Sequence, residues 1–141
     1  MSEELVLVFG IILATGIVGY LVIGGSFGMK LSPGQIALFA SNAGFTGDDL
    51  VTAVAIALAE SSGNPQAQGD FIGGQYTSYG LWQIHFTVHP EFDASKLFDP
   101  QYNANAAYQL YVKRNGFKDW STYNTGAYSA HLNDAQAGVN V

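Results

Sequence analysis

The chain has 141 residues, a net charge of −6 and no cysteine. A disulfide framework and a thiolate metal site are therefore excluded, and there is no basic stripe of the kind a nucleic-acid binder needs. Length and composition allow one folded domain, stabilised by packing alone.

In chain order, the first element is an apolar leader. No residue from Leu5 to Met29 is charged, and about 20 apolar residues are enough to cross a bilayer. Glu3 and Glu4 stand where a cleaved secretory signal would carry positive charge. The expectation is one retained transmembrane helix over residues 5–25, with membrane lipid as its partner, and a short hinge at Gly24-Gly25-Ser26-Phe27-Gly28. Residues 1–30 are read as anchor and hinge, and 31–141 as the folded domain. The spacings Gly10–Ala14 and Thr15–Gly19 suit packing against another membrane helix. Lys30 is the one charge just after the span, and the positive-inside rule would put the domain on the cytoplasmic side.

Ser32-Pro33-Gly34-Gln35 predicts a capped helix start, and Gly44 its end. Thr46-Gly47-Asp48-Asp49 opens a second helix, apolar on nearly every side from Leu50 to Ala59, as in a helix buried centrally. Gly63 and Pro65 stop it. Gly69, Gly73, Gly74 and Gly80 then punctuate Phe71, Ile72, Tyr76, Tyr79, Leu81, Trp82 and Ile84, which reads as a small hairpin or sheet. Asp99-Pro100 begins a third helix with Ala104, Ala107, Tyr108, Tyr111 and Val112 on one stripe, closed by Asn115-Gly116. A short helical segment follows from Asp119-Trp120 to about Tyr128, and the tail after Leu132 reads as loosely ordered. The fold class is α+β, mostly helical, with a small β element between helices.

Glu60 is the lone acid at the end of the buried helix. Burial and the negative end of the helix dipole both disfavour its anion, and no basic residue is adjacent to oppose them. A carboxyl kept protonated near neutral pH can give its proton to a leaving glycosidic oxygen. Ser61 and Ser62 could hydrogen-bond the acid or a substrate. The plain alternative is an exposed glutamate at a helix end. His85 and His89 have i, i+4 spacing with Glu91 and Asp93 nearby, but Pro90 argues against a helix there. Neither a metal nor another cofactor is expected.

Three blocks carry a resemblance: Ala59-Glu60-Ser61-Ser62-Gly63-Asn64-Pro65, Gly80-Leu81-Trp82-Gln83-Ile84 and Thr122-Tyr123-Asn124-Thr125-Gly126. In order and spacing they resemble the Glu-Ser, Gly-Leu-Met-Gln-Ile and Ala-Tyr-Asn-Ala-Gly blocks of the lytic transglycosylase and goose-type lysozyme superfamily, over about residues 32–130. Trp82 stands in place of the usual Met. The Asn103-Ala104-Asn105 helix is also similar, and the run from Asn115 to Tyr123 looks most like phage virion proteins that open the cell wall.

The resemblance implies a lysozyme-like fold and peptidoglycan as substrate. Glu60 would protonate the oxygen between N-acetylmuramic acid and N-acetylglucosamine. As a single acid it would then act as base on the muramyl C6 hydroxyl, giving a 1,6-anhydro product; this transglycosylase is the favoured expectation. In a hydrolytic lysozyme the deprotonated Glu60 would activate water, usually with a second carboxylate, for which Asp70 is preferred to Glu91 and Asp93. Tyr79 and Gln83 would bind sugar hydroxyls or acetamides, and Trp82 and Tyr76 would stack on sugar rings or join the core. Tyr123 would approach Glu60 or the substrate, while Asn124 would bind substrate or fix local backbone. The expected setting is a virion membrane or the bacterial inner membrane, with other virion or membrane proteins as further partners. That setting conflicts with the orientation Lys30 suggests. An inactive, membrane-anchored glycan-binding virion subunit and a pore-forming or fusion protein are the rival readings.

Overall fold

The computed structural model describes residues 29–141, together with the backbone of Phe9–Ile12 (β1) and Val18–Leu21 (β2). These two strands pair antiparallel, Phe9 opposite Leu21 and Ile12 opposite Val18. They lie inside the segment expected to be one membrane-crossing helix, the rest of which is outside the described residues. An apolar run does not by itself choose between helix and strand, and Val, Ile, Phe and Tyr favour the extended chain. No helix among the described residues is long and apolar enough to cross a membrane.

The folded domain opens with α1 (Pro33–Ala43). Its capping box forms as the sequence predicts: Ser32 Oγ accepts from the Gln35 N–H and Gln35 Oε1 accepts from the Ser32 N–H. Next, α2 (Gly47–Ser61) runs through the centre, with Ala53 to Leu58 all buried. Ser62 ends it in a left-handed conformation, its N–H donating to Leu58 O. Burying a side chain such as Ile36, Phe45 or Ile56 contributes about 1.5–3 kcal/mol.

The polypeptide then forms a three-stranded antiparallel sheet, in which β4 (Gln75–Tyr79) lies between β3 (Gln68–Ile72) and the short β5 (Ile84–His85). A 3-10 turn at Ala94–Lys96 leads to α3 (Pro100–Arg114), capped by the Asp99 carboxylate on the Tyr102 N–H. The buried face of α3 is Asn103, Ala104, Ala106, Ala107 and Leu110. Val112, expected on that stripe, is exposed.

A single turn, α4 (Ser121–Asn124), and a 3-10 segment (Ala127–His131) precede α5 (Leu132–Val139). Here the structure corrects the reading of a loose tail. Ala135 and Gly138 are buried, and α5 packs on both α1 and α2. A side chain at position 138 would lie within 2.6–2.8 Å of Pro33 and Gly34 backbone, so the close approach of α5 to α1 requires glycine there.

Candidate active site

The end of α2 carries Glu60 from the core into an open pocket of about 130 Å³, walled also by Asp70, Gln83, His85, His89 and Asp119. That volume admits several waters. A larger groove of about 610 Å³ lies between the start of α1 and the end of α5. Its lining is mostly apolar with one ionisable side chain, Asp134. It meets α2 at Leu50, about 15 Å along the helix from Glu60, and is not part of this site.

Glu60 Oε2 accepts from Thr122 Oγ1 at 2.7 Å. Burial pushes the Glu60 carboxyl above its ordinary value; the side-chain and backbone hydrogen bonds from Thr122 pull it back, and the charge of Asp70 adds to the rise. No salt bridge joins Glu60 to a cation among the described residues. The residue that meets the acid is therefore Thr122, not the neighbouring Tyr123. Tyr123 instead packs against Phe117 and Tyr128, at ring-centre distances of 5.6 and 5.0 Å. The Thr122 hydroxyl stabilises the anion, so Thr122→Val is expected to raise the Glu60 pKa further. If Glu60 acts as a proton donor, the alkaline limb of the kcat/KM profile moves to higher pH in this variant. A limb that stays in place would detach Thr122 from the titrating group.

Asp70 adopts φ 53°, a left-handed conformation that Asp tolerates better than most residues. Its Oδ2 accepts from Ser78 Oγ at 2.5 Å, and its backbone carbonyl accepts from Thr77 Oγ1 at 2.7 Å. Ser78 stands opposite Gly69 in the hairpin, so the Ser78 bond turns the Asp70 carboxylate onto the face those two residues share. Gln83 closes the same face: a side-chain carbon at Gly69 would lie 2.3 Å from Gln83 Oε1. The Gln83 amide donates to Ala67 O and Gly80 O, at 3.0 and 2.9 Å. It braces the loop and lines the pocket at once.

Other expected substrate contacts are placed elsewhere. Trp82 is fully buried, and its Nε1 donates to Ala53 O on α2 at 2.9 Å. It is a core side chain rather than a sugar platform, because the turn between β4 and β5 directs its indole inward against the central helix. Trp120 backs it by donating from Nε1 to Trp82 O. Tyr79 sits against Phe86 and Phe98, with ring centres 4.7 and 4.4 Å away. Ser61 is buried and donates to Ala57 O within α2, while Ser62 serves as the exposed helix cap. Asn124 fixes local backbone through Lys118 O.

His89 lies between two acids, with Nδ1 3.7 Å from Glu91 and Nε2 4.0 Å from Asp119, and Asp119 is held in turn by Arg114 at 3.1 Å. Asp93 caps the following 3-10 turn through Ser95 and faces away from this role. Among the described residues no group of three or more His, Asp or Glu side chains is arranged to hold a metal ion.

The sequence reading misses Thr122 as the acid's partner and Asp119 as part of the pocket wall. Thr122 stands inside the Thr122–Gly126 block, whose resemblance points to the tyrosine beside it.

The chain matches no curated protein and no solved structure. The family model described as "Lysozyme like domain" matches residues 37–122, more than half of the chain, and its span takes in Glu60, Asp70, Gln83 and Thr122. This polypeptide belongs to the family of lysozyme-like domains.

Proposed function

We propose that the domain cleaves the β-1,4 bond between N-acetylmuramic acid and N-acetylglucosamine in peptidoglycan, with Glu60 as the proton donor. A lysozyme-like domain is of the peptidoglycan-degrading kind. The observation that carries the residue assignment is the state of Glu60: half-buried, without a cationic partner among the described residues, and held above its ordinary pKa at the wall of an open pocket. Such a carboxyl holds its proton to higher pH than an ordinary glutamate and can deliver it to the leaving oxygen.

The fate of the sugar depends on what attacks its anomeric carbon. A single acid serves a transglycosylase: Glu60, once deprotonated, takes the C6 hydroxyl proton and a 1,6-anhydro ring closes. Hydrolysis usually uses a second carboxylate facing the scissile bond. The shared pocket and the turned-in carboxylate of Asp70 favour hydrolysis over the single-acid route. In that reaction Asp70 takes a proton from water, the water oxygen bonds to C1, and the departing sugar leaves with the Glu60 proton.

Product analysis separates the two routes. Purified peptidoglycan digested by the full chain should release fragments with reducing ends. Asp70→Asn should lower that release by about 10²-fold or more, the scale of a lost general base. Anhydro ends, with Asp70→Asn near full activity, would return the reaction to Glu60 alone.

The uncharged stretch from Leu5 to Met29 supports attachment to a membrane beside the wall, whether of a cell or a virion. The likeness of residues 115–123 to phage wall-opening proteins supports local wall opening during phage entry.

A further inference from the structure

We infer that Phe71 and Tyr76 form a sugar-stacking subsite that continues the Glu60 pocket outward along the β3–β4 hairpin. The inference rests on peptidoglycan being the substrate, and it extends the site to a neighbouring sugar of the same strand. Both rings lie open to solvent, at 64% and 45% exposure. They stand directly opposite each other across the two strands, with ring centres 5.0 Å apart and planes at 67°. In that edge-to-face arrangement one ring leaves both of its faces uncovered by the other.

Position on the hairpin gives the pair its meaning. Residues two apart on a strand share a face, and so do residues directly opposite. Tyr76 is therefore on the face of Ser78, and Phe71 on the face of Gly69. That face carries the Asp70 carboxylate through Ser78 and meets Gln83 at Gly69. The rings lie about 7 Å further toward the turn, past Asp70, where the pocket lining reaches the hairpin. Gly73 and Gly74 both have positive φ, at 61° and 85°, which makes the turn a tight two-residue connection that fixes the register of the ring pair.

The chemistry of the patch selects a neutral, C–H-rich ligand. Aromatic faces carry partial negative charge and attract the electropositive C–H groups on a pyranose ring. From Gln68 to Tyr79 there is no basic side chain, and Asp70 is the single acid. An anionic lipid surface or a nucleic acid would call for lysine or arginine here.

The test uses the full chain carrying Glu60→Gln, so that turnover does not alter the polymer, and measures co-sedimentation with purified insoluble peptidoglycan. Adding Phe71→Ala and Tyr76→Ala should weaken retention about tenfold, the scale of one lost apolar ring contact. Replacing both by Trp should keep retention near the parent level. Replacing both by Leu, which preserves strand preference and greasiness but not the π face, should lose it as Ala does. Unchanged retention in the Ala pair would overturn the subsite. Full retention in the Leu pair would also overturn it and make the patch a general apolar docking surface. Should the wild-type chain release no muropeptides while the Ala pair still loses binding, the subsite stands and the catalytic role of Glu60 is what fails.

Discussion

Glu60→Gln is expected to reduce release of muropeptides from purified peptidoglycan by about 10³-fold or more, within the range for losing a general acid. Glutamine has nearly the same shape and its carbonyl can still accept the Thr122 hydroxyl proton, so the fold has no reason to change. It cannot give up a proton to a leaving oxygen. The substitution should also stabilise the protein, with a defined pH dependence. The folded pKa of Glu60 lies above the unfolded one because burial opposes the anion. The native state therefore holds a proton more tightly than the unfolded chain, and stability falls as pH rises from the unfolded pKa through the folded pKa. The amide mimics the protonated form and avoids that loss. Thermal denaturation should give Glu60→Gln a higher Tm than wild type at neutral pH, the gap closing as pH drops below the ordinary carboxylate range. A gap that widens toward acid would contradict the burial argument.

Asn103→Ala should be strongly destabilising. Asn103 is fully buried in α3 and makes three bonds. Its Oδ1 accepts from the Trp82 N–H at 2.8 Å, and its Nδ2 donates to Tyr79 O at 2.8 Å and Leu97 O at 2.9 Å. One amide thus ties the end of β4, the Leu81–Gln83 turn and the segment before α3 to a single helix. Alanine leaves one buried N–H and two buried carbonyls without this partner, each costing about 1–3 kcal/mol where water cannot enter. With partial relaxation, a loss of roughly 3–5 kcal/mol is expected, or a fall in Tm of at least ~10 °C. Activity should fall with it, because Gln83 and Asp70 are positioned by the same turn and hairpin. A change under 1 kcal/mol in urea denaturation would mean that the buried groups find other partners.

Local signals were readable where local chemistry decides the outcome. Ser32, Pro33 and Gln35 set the start of α1 by bonds within four residues. The all-round apolar stretch from Leu50 to Ala59 announced a central helix, and the glycines between aromatics announced the hairpin. Glu60 was legible for the same reason: an acid at the end of a buried helix has few neighbours that could neutralise it.

What stayed hidden depends on contacts distant in the chain. Trp82 reads equally well as platform or core until its indole meets Ala53 O, 29 residues away. Thr122 and Tyr123 are adjacent on one turn, and a step of about 100° around a helix decides which of them faces Glu60. Asn103 looked polar, and a polar residue on a helix is normally solvated; only the three backbone groups converging on it make burial favourable. The last helix carries little sequence signal because its contact face is small rather than apolar. Ala135 and Gly138 matter by letting α5 approach α1 closely. In the leader, an uncharged apolar run of spanning length behind Glu3 and Glu4 suits one helix, but neither its hydropathy nor its charge distinguishes that helix from the paired strands β1 and β2.

Muropeptide release from purified peptidoglycan by the full chain and by Glu60→Gln, compared side by side with products identified by mass, is the most direct test. The account predicts soluble disaccharide-peptide fragments from the wild type and none above background from the variant, with both proteins equally folded by circular dichroism. Equal release by the two proteins, or no release by the wild type, would contradict it.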